Sequence, residues 1–146
     1  MRTDRIWVYF LKSGKGYLAS TSLDKFEAAS DNTKDLLIKA GKIYEKYIKK
    51  MSGLYRERDL LKAKHKVIKP ALMWKIGDEI FSMLEELNKL GISVEDLYGS
   101  LSRDLNISRT TIKRLISLRR YFKSKNEIPA GLSWGKIKDA PKRYSS

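Results

Sequence analysis

Residues 97–122 read LYGSLSRDLNISRTTIKRLISLRRYF, and the rest of the chain is read outward from them. Leu97, Leu101 and Leu105 recur at four-residue steps, the spacing of the inner face of a short helix. Asn106-Ile107 interrupts that pattern, and Ser108 is placed to cap a new helix by accepting a backbone N–H bond. The second helix carries Ile112, Leu115 and Ile116 on one side, with Arg109, Thr110, Lys113, Arg114 and Ser117 mostly on the other. Two short helices, a tight turn and a polar, basic second helix predict a helix-turn-helix. In that motif the second helix enters the DNA major groove.

The charge distribution points the same way. The 146 residues hold 31 Lys+Arg against 17 Asp+Glu, a formal charge of +14, which favours polyanionic partners. The excess is uneven: +2 over residues 1–40, +7 over 41–74, −4 over 75–100 and +9 over 101–146. A coat that merely solubilised the protein would be spread more evenly. One of the two basic blocks contains the expected recognition helix.

Toward the N-terminus, Gly91 suits the left-handed position that ends a helix. Ser93-Val94-Glu95-Asp96 resembles a capping box that opens the first helix of the motif. Before it, Pro70 fits the first turn of a helix over about residues 71–90. This is the most apolar helix and also an acidic one, with Asp78, Glu79, Glu85 and Glu86. It is read as the central core helix, with its acidic side turned away from DNA.

A further long helix starts at Asp31 or Asn32 and reaches about Val67, with Gly53 marking a bend or an end. Its apolar stripe from Leu36 to Leu61 reads first as core and second as a dimer seam. Lys42, Lys46, Lys49 and Lys50 on its other side are either a solvated face or a secondary phosphate-contacting surface. Ser22 is placed to cap a short helix to about Ala28. Ile6 to Leu11, Ser13-Gly14-Lys15-Gly16 and Tyr17 to Ala19 read as either a β-hairpin or an irregular apolar arm.

Beyond Phe122, Pro129-Ala130-Gly131 marks a loop, and Ser133 can cap one or two helical turns. Pro141 is expected to end regular structure, leaving a mobile basic tail. The fold class is therefore mainly α, a multi-helix domain with a helix-turn-helix and, on the hairpin reading, a short N-terminal β-hairpin. The chain divides into residues 1–22 (arm or hairpin), 23–69 (amphipathic helical region suited to dimerisation), 70–140 (DNA-binding region) and 141–146 (basic tail).

Two resemblances extend this reading. Leu101-Ser102-Arg103-Asp104-Leu105-Asn106-Ile107-Ser108-Arg109-Thr110-Thr111-Ile112-Lys113-Arg114-Leu115 resembles the helix-turn-helix of many bacterial and archaeal repressors. In those, Ser-Arg-Thr-Thr-Val-x-Arg opens the recognition helix. More widely, five stretches in order are similar to the N-terminal domain of a family of restriction-type nucleases, the YhcG type. They are Trp74-Lys75-Ile76-Gly77 with Ile80, Leu97-Tyr98-Gly99, Leu101 to Leu105, Arg119-Arg120-Tyr121-Phe122 and Ser133-Trp134. The match spans about residues 70–137. It implies a helical DNA-binding domain; the family's nuclease half would follow, and it is absent from these residues.

No catalytic constellation is found. With no cysteine, disulfides, thiolate catalysis and zinc fingers are excluded. His65, the one histidine, lies between Lys64 and Lys66 and reads as a surface residue. Adjacent acidic pairs such as Asp78-Glu79 do not face each other on a helix. Trp74 and Trp134 read as packing residues, not base-stacking platforms. The sequence designates no enzyme activity, metal, cofactor or small-molecule effector.

The expected partner is double-stranded DNA. Arg109, Thr110, Lys113 and Ser117 are expected at base edges, Ser108, Thr111, Arg114, Arg119 and Arg120 nearer phosphates, and Lys123 also belongs to the expected DNA-binding set. A single such motif covers few base pairs, so a homodimer is expected, paired through the Leu36 to Leu61 stripe or through Ile6 to Leu11. The function expected is a dimeric transcriptional regulator. The alternatives are an architectural or segregation-type protein that coats DNA with little sequence preference, and an RNA-binding or ribosome-associated basic protein.

The longest apolar run, Ile6 to Leu11, is far short of the roughly 20 residues of a spanning helix, and no signal-peptide pattern opens the chain. A cytoplasmic, nucleoid-associated location is expected. Absent glutamine and abundant Lys, Glu and Ile match the composition of a thermophile protein, although AT-rich genomes favour Lys and Ile as well.

Overall fold

The computed structural model describes residues 5–13, 16–20 and 31–145. The expected helix from Ser22 to Ala28 and the tip of the expected hairpin at Gly14-Lys15 lie outside them. The described chain is mainly α with a small sheet. Strands β1 (Ile6–Ser13) and β2 (Gly16–Ser20) precede helices α1 (Asp31–Ala63) and α2 (Pro70–Lys89). Then follow β3 (Ile92–Val94), α3 (Leu97–Leu105), α4 (Arg109–Tyr121), a 3-10 turn (Lys125–Glu127), α5 (Trp134–Ile137) and α6 (Pro141–Tyr144).

The N-terminal residues form the hairpin, not the arm: β1 and β2 are antiparallel, with Leu11 opposite Leu18 and Phe10 opposite Ala19. A third strand joins them. β3 pairs parallel with β1, Ile6 opposite Ile92 and Val8 opposite Val94, giving the order β2-β1-β3. Parallel neighbours need a long crossover, supplied here by α1 and α2. This corrects the capping-box reading of Ser93 to Asp96. Ser93 and Val94 belong to the strand, and Asp96 alone caps α3, accepting from the Gly99 N–H at 3.2 Å.

Strand alternation puts Val8, Phe10 and Ala19 inside and leaves Trp7, Leu11 and Leu18 exposed on the outer face. The inner face meets α1, where Tyr44 stacks on Phe10 with ring centroids 4.1 Å apart and Tyr17 meets it edge-on. A Cβ on Gly41 of α1 would lie 2.6 Å from the Tyr17 carbonyl oxygen, so the helix rests directly on β2. The Tyr44 hydroxyl donates to Asp104 Oδ2 at 2.5 Å. Asp104, its side chain 1% exposed, also holds Arg103 at 2.8 Å, and Arg103 donates to the Phe10 carbonyl. One polar cluster thus ties the sheet, α1 and α3 together.

Helix α1 departs from expectation in two ways. It runs unbroken through Gly53, which is exposed with open space around it. It ends at Ala63, and His65 takes a left-handed conformation (φ 56°) that lets the Lys66 N–H close on the Leu61 carbonyl. His65 is therefore a turn residue, not a helical one. Leu37, Ala40, Tyr44, Tyr47, Ile48 and Met51 are buried in the protein's own core, which is the first reading of the stripe and leaves little of it for the alternative, a dimer seam.

Helix α2 is the central element. Met73, Ile76, Ile80, Met83 and Leu87 are buried. A Cβ on Gly77 would lie 2.5 Å from the Leu115 carbonyl oxygen of α4, an approach open only to glycine. Trp74 donates from Nε1 to the Phe122 carbonyl at 2.6 Å and so fixes the end of α4. Trp134 is buried, and its N–H reaches the Ile68 carbonyl at 3.0 Å.

Candidate nucleic-acid interface

Helices α3 and α4 are joined by three residues whose conformation is set locally. Asn106 adopts φ 57°, as Asn does more readily than most residues, and ends α3. The Ser102 hydroxyl donates to the Ile107 carbonyl at 2.6 Å, while the Ile107 N–H returns to the Ser102 carbonyl at 3.2 Å. Ser108 then starts α4, its Oγ accepting from the Thr111 N–H at 3.1 Å and lying 2.9 Å from Thr111 Oγ1. Ser108 and Thr111, expected near phosphates, thus spend their hydroxyls on the cap.

Helix α4, RTTIKRLISLRRY, holds five basic residues and no acidic one. Ile112, Leu115, Ile116 and Leu118 are buried against α2 and α3, which turns Thr110, Lys113, Ser117 and Tyr121 outward on one stripe. Lys113 lies over the Tyr98 ring at 5.7 Å. Arg120 and Lys123 are exposed, and Arg120 borders a groove of about 310 Å³ with Phe81, Leu97, Tyr98 and Ile116.

Three arginines of α4 meet aspartates from three separate parts of the chain. Arg109 faces Asp96 with both terminal nitrogens at 3.2 Å, and both side chains are about 60% exposed. Arg114 Nε reaches Asp139 at 2.7 Å. Arg119 Nε reaches Asp78 of α2 at 2.9 Å, and its guanidinium lies over Phe81 and Trp74 at 4.8 and 5.3 Å. Arg119 was expected at phosphates; it stands instead seven residues after Ile112, on the edge of the core face. Asp78 likewise does not point away from α4, so the acidic side of α2 is only partly remote from this surface.

The secondary set lies elsewhere. Lys46 pairs with Glu86 at 2.9 Å and Lys50 with Glu79 at 4.0 Å, both acids coming from α2; Lys49 pairs with Glu45 at 3.2 Å. Lys42 is exposed. The Tyr47 hydroxyl and then the Lys46 ammonium hold the Glu86 carboxyl below its usual range. The scarcity of carboxylates along α1 suggested a free cationic face, but the fold brings α2's carboxylates to it. The result is a mixed-charge surface, on which ion pairs of this exposure contribute little to stability.

One part of the surface was not anticipated. Pro141 is buried and begins α6, which packs against α4, so the expected mobile tail is a helical turn. Proline lacks only an N–H that a first helical turn leaves unpaired, so it starts a helix as readily as it stops one. Between this turn and α4 runs a cleft of about 340 Å³, lined by Thr110, Lys113, Arg114 and Ser117 on one side and Lys138, Asp139 and Lys142 on the other.

Among the described residues, no three His, Cys, Asp or Glu side chains gather as a metal site would require, and no helix is long and apolar enough to cross a membrane. The site and fold together define a mainly α protein that presents one basic, acid-free helix from a small sheet-backed core. No protein-family model, curated protein or solved structure matches the chain.

Proposed function

We propose that α3 and α4 act as a helix-turn-helix, that the chain binds double-stranded DNA with α4 in the major groove, and that it serves as a dimeric transcriptional regulator. The observation that carries this reading is the outward stripe of α4. Thr110, Lys113 and Ser117 face outward with no acidic residue on their helix, Arg109 beside them meets only the exposed Asp96, and the opposite face is fixed in the core. Arginine and lysine read guanine, and a threonine methyl packs on thymine. The likeness to repressor motifs and to the N-terminal domain of YhcG-type nucleases supports the same reading. Dimerisation belongs to the proposal too: with the α1 stripe largely covered, the exposed Trp7, Leu11 and Leu18 on the sheet's outer face offer a second copy an apolar surface.

Fluorescence anisotropy with a selected duplex, random duplex and structured RNA tests the proposal, with sedimentation reporting the stoichiometry on DNA. A regulator binds the selected site roughly 10³-fold or more tighter than random duplex, and Arg109→Ala relaxes that preference. Equal affinity for every duplex refutes the regulator in favour of a coating protein. Preference for RNA refutes both.

A further inference from the structure

The cleft between α4 and the C-terminal turn joins side chains that are far apart in sequence. Lys113 and Arg114 face Lys138 and Lys142 across it, with the hydroxyls of Thr110 and Ser117 in the same wall. Four cations there meet one carboxylate, Asp139, which sits on Arg114. The far wall is anchored, not trailing. Ile137 and Pro141 are buried, the Lys138 N–H bonds the Trp134 carbonyl at 2.9 Å, and α6 packs on α4. The cleft encloses about 340 Å³ and is open to solvent, so a sugar–phosphate step can enter it.

We infer that this cleft is a backbone-phosphate clamp. Lys138 and Lys142 grip one DNA strand beside the groove that α4 enters, and the phosphate takes the place of Asp139 on Arg114. The inference rests on the DNA-binding reading and adds to it a second contacting element outside α3 and α4. Exchange is feasible because the Asp139 carboxylate is 62% exposed and a solvent-screened pair of this kind is weak. A phosphodiester brings the same single negative charge on two non-bridging oxygens, and its arrival releases counterions from the DNA. In the free protein Asp139 holds Arg114 in position, and in the complex it is a competitor.

The test is anisotropy on random duplex from 50 to 200 mM salt, using the full chain, with thermal melts to confirm folding. Each phosphate contact contributes about −0.9 to the slope of log K against log salt. Lys138→Ala/Lys142→Ala is expected to reduce the slope's magnitude by about 1.8, one contact for each lysine. The affinity lost across that fourfold salt range then shrinks by about 12-fold. Lys138→Arg/Lys142→Arg restores the slope, and Asp139→Asn tightens binding at every salt concentration. An unchanged slope in the double alanine variant, with Lys113→Ala still weakening binding, overturns the clamp and leaves the DNA-binding reading standing. Weaker binding by Asp139→Asn likewise overturns it. No duplex binding by the wild-type chain removes the underlying reading, and the clamp with it.

Discussion

Glycine-to-alanine substitutions at positions 53 and 77 should move stability in opposite directions, although both glycines lie inside helices. Alanine is favoured over glycine in a helix interior by about 0.8–1.0 kcal/mol, and this gain is common to the two sites. The surroundings differ. Beyond its own helix backbone no heavy atom lies within 4 Å of a Cβ at Gly53, whereas a Cβ at Gly77 would be 2.5 Å from the Leu115 carbonyl oxygen and 3.0 Å from the Arg119 Cβ. Ordinary contact begins at 3.4 Å, so α4 would have to retreat by about 0.9 Å from a backbone atom that no rotamer change can move. Overpacking of this kind costs about 1–3 kcal/mol. Gly53→Ala is thus expected to raise the unfolding free energy by about 1 kcal/mol. Gly77→Ala should fall below it by about 1–3 kcal/mol, the propensity term cancelling in the difference. Urea denaturation of the wild type and both variants measures this directly, provided the m-values agree. Equal stabilisation by the two substitutions would refute the close packing of α2 on α4. The displacement of α4 should also weaken duplex binding in Gly77→Ala and leave it unchanged in Gly53→Ala.

Two further substitutions probe what holds the candidate interface in place. Tyr44→Phe removes a donor from the buried Asp104 carboxylate and should cost about 1–3 kcal/mol in urea denaturation. Burial, then the Asp104 hydrogen bond, pushes the Tyr44 hydroxyl far above its ordinary value; a raised folded-state pKa gives stability that is complete below the unfolded value of about 10 and lost above it. Melting temperature should therefore decline above about pH 10 in the wild type, and less steeply in Tyr44→Phe; identical alkaline profiles would count against the burial of this hydroxyl. Arg119→Ala should lower stability by about 1–3 kcal/mol through loss of its Asp78 bond and its ring contacts while leaving the salt slope of duplex binding intact. A reduced slope would show Arg119 reaching phosphate after all.

How far the fold could be read from the sequence depended on how local its causes were. The break between α3 and α4 was legible because Asn106, Ser108 and the leucine spacing act within a few residues. The hairpin partners are likewise neighbours in the chain. Strand β3 was not legible: three residues become a strand only by pairing with β1, more than eighty positions earlier, and Ser93 with the following Glu95 and Asp96 imitates a cap. The lysines of α1 looked unpaired because their carboxylates arrive from α2. Arg119 was misplaced for a different reason. Its position, seven after Ile112, puts it on the buried stripe by the 3.6-residue period alone, but its charge outweighed its register in the reading.

The three arginine–aspartate pairs of α4 form a gradient, and the gradient assigns them different work. Arg119 and Asp78 are the most enclosed, with side chains 22% and 36% exposed, and Arg119 is covered further by two aromatic rings. Arg114 and Asp139 are intermediate on the arginine side at 32%, and Arg109 and Asp96 are open at about 60% each. Cost of separation follows enclosure: a part-buried pair leaves desolvated charge behind when broken, whereas an exposed pair is replaced by water and salt at almost no cost. The inner pair therefore orients α4 and stays closed, while the outer two are, if α4 enters DNA as proposed, the ones a phosphate or a guanine edge can replace. On the proposed reading, each exchange leaves an aspartate close to the DNA. Affinity is then lower than the +14 charge would give, and a backbone contact that does not fully replace the aspartate is penalised. Such a surface would trade indiscriminate binding for discrimination between a matched groove and any other polyanion.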